Sequence, residues 1–325
     1  MAQTVQVSRS TRSPEQQQEP ARHPQWAFFK GEFVPIEDAK LSIMTQVVNY
    51  GIGAFGGIRG YWNDAQSQLY VFRIEDHYRR FLSSGKLFNA QLPYTVQDLK
   101  GFTLELLRRE GYRRDAYIRP LLYNATEDIT PRLYDVEFDF ACFSRPLGDY
   151  IKLEVTACVS SWRRLDDNII PSRGKITGGY VNSAFARSEA HWNGYDEGIV
   201  LNQDGHVAEG SAENLFVVRD GRLFTPPISD NILEGITRNT VIQLARDELQ
   251  IPVVERSIDR SELYIADEVL FCGTGAQVSA IVNIDHRPVG NGKVGKVGQR
   301  LQEFYFRVVR GGEPKYSGWL TPVYA

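Results

Sequence analysis

The sequence predicts an α+β fold in which both halves of the chain mix short strands with helices. Short apolar runs bounded by turn residues recur along the chain, and amphipathic stretches lie among them without a strict strand-helix alternation. A length of 325 residues with 42% hydrophobic content allows a substantial core and suggests two domains. Residues 144–149, rich in proline, glycine and charge, interrupt the pattern and predict the linker between them.

The first half opens with a predicted hairpin at residues 26–34, closed by a lysine-glycine turn. Its clearest helix begins where Thr95 and Asp98 stand at capping-box spacing, and Gly111 ends it. The remaining elements predicted in this half are strands at 68–73, 116–123 and 136–143 and a helix at 76–88.

The second half also mixes strands with helices, and Asp220-Gly221 forms a tight-turn pair within a hairpin. An amphipathic pattern supports its central helix, with Val241 and Leu244 on one side. The predicted strands lie at 151–160, 197–201, 214–219, 222–225, 269–272 and 278–284, and the predicted helices lie at 181–192, 237–249 and 299–310.

These elements divide the chain into four predicted regions. Residues 1–24 are rich in Gln, Ser, Arg and Pro and lack the apolar segment of a secretory signal, so a disordered tail is expected. A small N-terminal domain follows at 25–143, then the linker at 144–150 and a large C-terminal domain at 151–325.

Charge and hydropathy argue against two kinds of partner. The net charge is −3, and the densest basic spots are two isolated pairs, Arg108-Arg109 and Arg163-Arg164. No nucleic-acid partner is therefore expected. No apolar stretch approaches the length of a membrane span, so no membrane association is expected either.

The cysteines predict a reducing compartment. Cys142, Cys158 and Cys272 are an odd number, widely spaced, and each lies in an apolar, strand-like run. That pattern gives no disulfide framework and favours buried thiols. A cytoplasmic location follows as an expectation.

Lys175 is the first residue that could carry chemistry. It lies in a glycine-rich stretch at 171–180 that ends in Tyr180, and its small neighbours would let a flat ligand approach closely. A lysine that loses hydration there would have a depressed pKa, as a lysine that attacks a carbonyl requires. The alternative is an ordinary solvated surface lysine.

Glu209 and Glu213 lie between two predicted strands and need partners if they are buried. A protonated pyridine nitrogen is one partner that a carboxylate could hold in its cationic form. A pair of exposed turn acids is the alternative.

Two stretches have the features of phosphate-binding sites. Residues 233–238 lead directly into a helix, whose free N–H groups and dipole suit a phosphate. Residues 271–276 are a strand followed by a turn of small residues with a hydroxyl, and ordinary capping and a tight turn are the alternatives. Neither is a P-loop.

No metal site or catalytic triad is expected, because these histidines fit none of the standard spacings: His77, His191, His206 and His286.

Seven short motifs stand in one order between about residues 26 and 319. They are Tyr50-Gly51 with residues 55–59, then 76–80, 117–120, 160–162 with Lys175 and 179–180, then 209–216, 235–238 and 273–276. Together they resemble the class IV (fold type IV) pyridoxal-phosphate-dependent aminotransferases, and most closely the branched-chain amino acid aminotransferases. The resemblance implies the two-domain fold of that family, with the cofactor in the large domain.

The resemblance implies a role for each matching position at the cofactor, pyridoxal 5′-phosphate. Lys175 would hold the cofactor covalently and move a proton between the substrate Cα and the cofactor C4′. Glu209 would bind the pyridine nitrogen, and Tyr180 would hydrogen-bond the phenolic oxygen. The phosphate would be held by Arg80, the backbone N–H groups of Ile236 and Thr237, and Thr274.

Substrate subsites are implied in the same way. The α-carboxylate subsite would be formed by Tyr117 and the turn Thr274-Gly275-Ala276. A second carboxylate, as in glutamate, would be bound by Arg119, Tyr50 and Tyr150. The side-chain pocket would be lined by Phe55 and Arg59.

The implied reaction moves an amino group between a branched-chain L-amino acid and 2-oxoglutarate, so the partners are an amino donor and a 2-oxo acid acceptor. A homodimer or larger homo-oligomer is implied as well, with active sites near the subunit interface. Other functions stay open on this sequence. They are an (R)-selective amine or D-amino-acid transaminase, an aminodeoxychorismate lyase, and a non-catalytic binder of small molecules.

Two departures from the branched-chain pattern bear on the substrate. Gly56 stands where that pattern usually has Glu, and residues 124–131 differ from its usual glycine-rich loop. Loss of a carboxylate and its side chain predicts a wider, less polar pocket with side activity toward bulky (R)-amines.

Overall fold

The structure is a computed structural model that describes residues 23–148 and 153–324. Within these ranges the helices are α1 (Gln46–Tyr50), α2 (Ile74–Lys86), α3 (Val96–Glu110), α4 (Tyr180–Trp192), α5 (Ile236–Asp247) and α6 (Lys296–Val309). The strands of the first sheet are β1 (Trp26–Phe29), β2 (Glu32–Pro35), β3 (Gly53–Phe55), β4 (Ile58–Asn63), β5 (Gln68–Phe72), β6 (Ala116–Asn124), β7 (Phe138–Pro146) and β17 (Leu320–Pro322). Those of the second are β8 (Glu154–Val159), β9 (Glu197–Leu201), β10 (Val207–Gly210), β11 (Asn214–Arg219), β12 (Arg222–Thr225), β13 (Val253–Glu255), β14 (Glu268–Gly273), β15 (Gln277–Ile284) and β16 (Arg287–Pro288).

The two sheets confirm the α+β class. In the first, the strand order is β17-β5-β4-β6-β7-β1-β2, with β3 paired to β6, and every pairing is antiparallel. The second has the order β10-β9-β8-β15-β14-β11-β12-β13, with β16 on β15. It is mixed, because β8 runs parallel to β9 and β15, and β12 runs parallel to β13.

Helix α3 forms where its sequence signals stand. The Thr95 hydroxyl accepts a hydrogen bond from the Asp98 N–H (3.2 Å), and the Asp98 carboxylate accepts one from the Thr95 N–H (2.8 Å). Gly111 ends the helix in the left-handed region at φ 64°. The buried face of α3 carries Leu99 and Leu106, which join the core under the first sheet.

The first sheet and the C-terminal helices share a core. Tyr61 of β4 and Phe72 of β5 pack with residues of α5, α6 and β14, and the Tyr61 and Tyr305 hydroxyls are 3.0 Å apart. Strand β17 pairs with β5, so the last strand of the chain belongs to the first sheet. This packing brings the two sheets together around one cavity.

The sequence-predicted helices and strands are present with small shifts at their ends, except where they leave the described residues. One boundary was wrong. The predicted linker begins at residue 144, but β7 continues to Pro146, since Ala116, Tyr117 and Ile118 at the start of β6 offer partners for three more residues. Residues 1–22 of the predicted tail and 149–152 around the end of the linker lie outside the described residues.

Several elements escaped the sequence pattern because they are short or glycine-rich. These are α1, β3, β4, β10, β13, β16 and β17. Over the described ranges, no helix is both long and apolar enough to cross a bilayer.

Candidate active site

A cavity of about 740 Å³ lies between the two sheets. The first sheet contributes Phe55, Tyr117, Arg119, Leu121 and Arg145 to its wall. The segment before α4, together with α4 itself, contributes Lys175, Thr177, Tyr180, Ser183 and Arg187. Opposite them lie Arg80, Arg164, Glu209, residues 211–214, Leu233, residues 235–237 and residues 272–276.

Lys175 projects into the middle of this cavity. Its backbone is fixed on both sides, because its N–H donates to the Ser84 hydroxyl (3.2 Å) and its carbonyl accepts from the Phe55 N–H (3.0 Å). Its Nζ donates to the Tyr180 hydroxyl and lies 5.0 Å from the centre of the Phe55 ring. The amine is therefore held between two aromatic rings.

The surroundings of Lys175 lower the pKa of its amine below the usual value for a lysine. Burial is the main cause that lowers the pKa of its amine to about 7. The positive charges of Arg80, Arg119 and Arg164 lower this pKa further, whereas the negative charge of Glu209 raises it. Near neutral pH a large share of the amine is thus uncharged and nucleophilic, which excludes the solvated surface lysine.

Glu209 is buried in β10 with a partner at each oxygen. Its Oε1 is paired with Arg164 Nε at 3.0 Å, and its Oε2 accepts from Asn214 Nδ2 (3.0 Å) and the Leu233 N–H (3.1 Å). Three bonds to one carboxylate fix its position in the cavity wall. The alternative of an exposed turn acid is therefore wrong for Glu209.

Glu213, four residues further on, is buried in a different setting. Its Oε2 accepts the Ala212 N–H (3.0 Å), while Arg187 pairs instead with Glu197 at 3.1 Å. Burial and the nearby Glu197 raise the pKa of Glu213 to about 8. Two acids that look alike in the sequence thus have different surroundings, and Glu209, which is fixed by an arginine and two N–H donors, is the one that suits a cationic ring nitrogen.

One end of the cavity is built for an anion. Helix α5 begins beside it, and its N-cap residue Gly235 has no side chain to satisfy the first N–H groups. A Cβ at this position would come within 1.9 Å of Asn214 Oδ1, so only glycine fits. Arg80 lines the same end and donates to the Glu234 carbonyl (2.9 Å). The helix dipole and this cation together favour a phosphate.

The other end is formed by the outward-facing side chains of β6. Tyr117, Arg119 and Leu121 line the cavity, while Ile118 and Leu122, at alternate positions of the strand, are buried in the core. Arg119 Nη2 donates to the Tyr117 hydroxyl (3.1 Å), and its guanidinium lies 4.5 Å from the centre of the Phe55 ring.

The predicted site residues divide into two groups. The structure brings most of them to the wall of this cavity: Lys175, Tyr180, Glu209, Arg80, Ile236, Thr237, Thr274, Gly275, Ala276, Tyr117, Arg119 and Phe55. Tyr150 lies outside the described residues, and Arg59 and Tyr50 do not line the cavity.

Arg59 is the clearest departure from the predicted positions. It is 1% exposed and lies behind the wall, where Nη2 donates to the Gly148 carbonyl (2.9 Å) and Nη1 to the Gly275 carbonyl (3.5 Å). The resemblance implied a place for Arg59 in the side-chain pocket, but its guanidinium is directed to backbone carbonyls behind the wall. It supports the wall at Gly275 and does not contact the cavity.

Tyr50 and Gly56 also differ from expectation. The Tyr50 side chain is 41% exposed, and its hydroxyl donates to the Ile129 carbonyl outside the cavity. A Cβ at Gly56 would come within 2.5 Å of the Pro120 ring, on the opposite face of the sheet from Phe55 and Gly57. The expectation that Gly56 widens the pocket is therefore wrong, because a side chain there would point away from it.

Two residues that hold Glu209 were missed in the sequence. Arg164 belongs to an isolated basic pair, and Asn214 follows directly after Glu213. A buried carboxylate requires charged or amide partners, so the run at 209–214 was a signal for Asn214. No comparable signal marks Arg164, since it meets Glu209 from a distant loop.

Comparison with known proteins places this geometry in a family. The family model for amino-transferase class IV matches residues 53–284, which contain every cavity-lining residue named above. The chain belongs to the class IV aminotransferases, which use pyridoxal phosphate.

Three proteins similar to this chain share one activity by name. A probable branched-chain-amino-acid aminotransferase of Aquifex aeolicus is 49% identical over 301 residues, covering 92% of this chain and 97% of that protein. The branched-chain aminotransferase of Thermoproteus uzoniensis, solved with norvaline, superposes with a TM-score of 0.89 at 45% identity, covering 92% of this chain and 99% of the other. The branched-chain amino acid aminotransferase of Thermobaculum terrenum, solved in its PLP form, gives a TM-score of 0.88 at 38% identity, with 93% and 99% covered.

The cavity fits pyridoxal phosphate. An uncapped helix start with a required glycine, a fixed carboxylate and a partly neutral lysine are the three groups that its phosphate, ring nitrogen and aldehyde need. Arg80 and the N–H groups of Ile236 and Thr237 would hold the phosphate, Glu209 the ring nitrogen, and Lys175 the aldehyde carbon.

Proposed function

We propose that the protein transfers the amino group between branched-chain L-amino acids and 2-oxoglutarate. The observation that carries this proposal is the placement of Lys175. Its amine has a pKa near 7, lies beside Tyr180, and lines the same cavity as Glu209. The names of the relatives support the branched-chain substrate.

Each residue of the cofactor end has a defined task in this proposal. When bound, pyridoxal phosphate supplies an electron-poor ring that stabilises negative charge at the substrate Cα. Glu209 would bind the ring nitrogen and favour its cationic form, and Arg164 holds the Glu209 carboxylate in place. Lys175 holds the cofactor and, once released, takes the proton from Cα and returns it. Tyr180 orients the Lys175 amine and the phenolic oxygen.

The substrate end selects the ligand. Backbone N–H groups of the turn Thr274-Gly275-Ala276 and the Tyr117 hydroxyl would bind the α-carboxylate. Phe55 and Leu121 offer apolar surface to a branched side chain. Arg119, held by Tyr117, would bind the second carboxylate when glutamate or 2-oxoglutarate replaces the branched-chain substrate.

We further propose a homodimer or larger homo-oligomer in the cytoplasm, with a small domain at 25–146 and a large domain from residue 151 onward, whose last strand, β17, pairs with the sheet of the small domain. The three free cysteines, Cys142, Cys158 and Cys272, are buried, which suits a reducing compartment. Leu41, Ile43, Met44, Val48 and Ile129 are exposed near Tyr50, and an apolar surface of this kind suits a subunit contact.

An amino-donor panel tests the proposed activity. With 2-oxoglutarate as acceptor, L-leucine, L-isoleucine and L-valine should be converted with much higher kcat/KM than D-alanine or an (R)-arylalkylamine. Ping-pong kinetics should accompany that activity. A preference for D-alanine or for the amine would contradict the proposal, and a protein that binds the cofactor without turnover would be a binder only.

A further inference from the structure

One cation of the cavity has no task in the reaction described above. The wall carries a lysine and five arginines, Arg80, Arg119, Arg145, Arg164 and Arg187. Arg164 is neutralised by Glu209 and Arg187 by Glu197, and Arg80 lies at the phosphate end. Arg119 and Arg145 are left facing the substrate end.

The fold places Arg145 beside residues that already serve the substrate. On the antiparallel pair of β6 and β7, Arg145 stands directly opposite Tyr117, and Arg119 stands opposite Phe143, one pair further along the same face. Side chains on one face of such a pair lie within reach of one another when they are long. Arg145 and Arg119 therefore present their guanidinium groups to the same part of the cavity.

The two arginines differ in how they are held. Arg119 is half-buried and fixed by the Tyr117 hydroxyl and the Phe55 ring, whereas Arg145 is exposed at the mouth. Among the residues that the structure describes, no carboxylate pairs with either of them. An unpaired arginine at the rim of a cavity attracts anions and binds a carboxylate with its planar fork.

We propose that Arg145 is a second carboxylate-binding residue, which with Arg119 strengthens the binding of dicarboxylic ligands at the substrate end relative to that of monocarboxylic ones. The charges support this proposal. A monocarboxylic substrate brings one negative charge, for which Tyr117 and the turn at 274–276 suffice, while a dicarboxylate brings a second charge to the arginine pair. The inference rests on the proposed function in taking that turn as the α-carboxylate site and Arg119 as a ligand of the second carboxylate.

The test compares the binding of two acids that lack an amino and an oxo group and so cannot react. Glutarate carries two carboxylates, and 4-methylvaleric acid carries one and a branched apolar end. Dissociation constants for each are measured calorimetrically with the holoenzyme, for wild type, Arg145→Gln and Arg222→Gln. Arg222 is the matched control, because it is an exposed arginine on β12 outside the cavity wall.

In Arg145→Gln the ratio of the glutarate constant to the 4-methylvaleric acid constant should rise about fivefold, as expected for one partly exposed charge pair. Arg222→Gln should leave the ratio as it is in wild type. Equal weakening of both acids, an unchanged ratio, or no binding of glutarate to wild type would each overturn the proposal.

Failure of the proposed function gives a different result. Binding of these acids needs no amino transfer, so a wild-type protein that binds them in the expected order but does not transaminate L-leucine would contradict the proposed function alone. An active aminotransferase whose ratio is unchanged in Arg145→Gln would contradict the role of Arg145 alone.

Discussion

The cofactor end and the substrate end of the cavity are built in different ways. At the cofactor end, Glu209 has three partners, and the Lys175 backbone is held on both sides. At the substrate end, Arg119 is held through one hydroxyl and one ring, and Arg145 is exposed. Fixed groups suit the one ligand that stays bound through the cycle, while less constrained ones suit two substrates that alternate in the same place.

The largest effect is expected at the cofactor end. Lys175→Ala removes the amine that holds the cofactor and moves the proton, so kcat with L-leucine should fall at least about 10³-fold. The fold should survive, because the Lys175 backbone contacts do not depend on its side chain. Stopped-flow half-reactions and circular dichroism check both parts, with the exposed Lys293→Ala as control. Residual turnover close to wild type would move the catalytic role to another residue.

Glu209 and Glu213 provide a sharper comparison within that end. Glu209→Gln removes a charge that faces the ring nitrogen, so the single-turnover rate should fall about 100-fold, or ~2.7 kcal/mol. Glu213 is mostly protonated at pH 7, since its pKa is raised to about 8, and Glu213→Gln replaces a neutral acid with a neutral amide. Its loss should stay under about threefold. Equal losses in the two variants would show that both acids act as charges.

Much of this cofactor end could be predicted from the sequence because its motifs are local. Short windows marked the stretch before α5, the lysine in its glycine-rich stretch and the acid of β10 as candidates, and the resemblance to the aminotransferases gave them their roles over a cap, a surface lysine and a turn acid. The capping box of α3 was visible for the same reason. Arg164 was not, because it reaches Glu209 across 45 residues of sequence, and no local pattern encodes that contact.

At the substrate end, predictions failed where they depended on the direction in which a side chain points. The resemblance implied that Arg59 lines the side-chain pocket, yet its side chain donates to the Gly148 and Gly275 carbonyls behind the wall. The absence of a side chain at Gly56 predicts a wider pocket, yet a Cβ at this position would point toward Pro120. A sequence shows which position lacks a side chain but not the direction in which that side chain would have pointed.

The raised pKa of Glu213 also predicts a dependence of stability on pH. Above its unfolded value of about 4.5, the unfolded chain loses the proton while the folded chain keeps it until about pH 8. The folded state then binds more protons, so the free energy of unfolding falls as pH rises through that window, by up to ~1.4 kcal/mol per pH unit.

Urea unfolding at pH 5.5, 7.0 and 8.5 checks this dependence. Glu213→Gln cannot ionise and should lack that part of the slope, so wild type should lose stability relative to the variant as the pH rises. The exposed Glu303→Gln serves as control and should follow wild type. Parallel pH curves for wild type and Glu213→Gln would mean that Glu213 is ionised throughout.

Substitutions of two adjacent glycines, Gly56 and Gly57, test the substrate end. Their expected effects on activity are smaller than those of the cofactor-end variants. A Cβ at Gly57 would lie 2.2 Å from the Tyr117 hydroxyl, inside the cavity, whereas a Cβ at Gly56 would lie 2.5 Å from Pro120, outside it. Gly57→Ala must displace Tyr117 and should raise KM for L-leucine about tenfold, as loss of one charge-assisted hydrogen bond would.

Gly56→Ala should instead act on stability, because overpacking against a buried proline ring costs about 1–3 kcal/mol. Thermal and urea unfolding measure that loss. The ratio of kcat/KM for an (R)-arylalkylamine to that for L-leucine should stay within about twofold of wild type, since a general loss of folded protein lowers both values alike. A shift of that ratio in Gly56→Ala larger than in Gly57→Ala would restore Gly56 as a determinant of the pocket. It would also require that the connection between β3 and β4 moves when substrate binds, since in the structure only Gly57 faces the ligand.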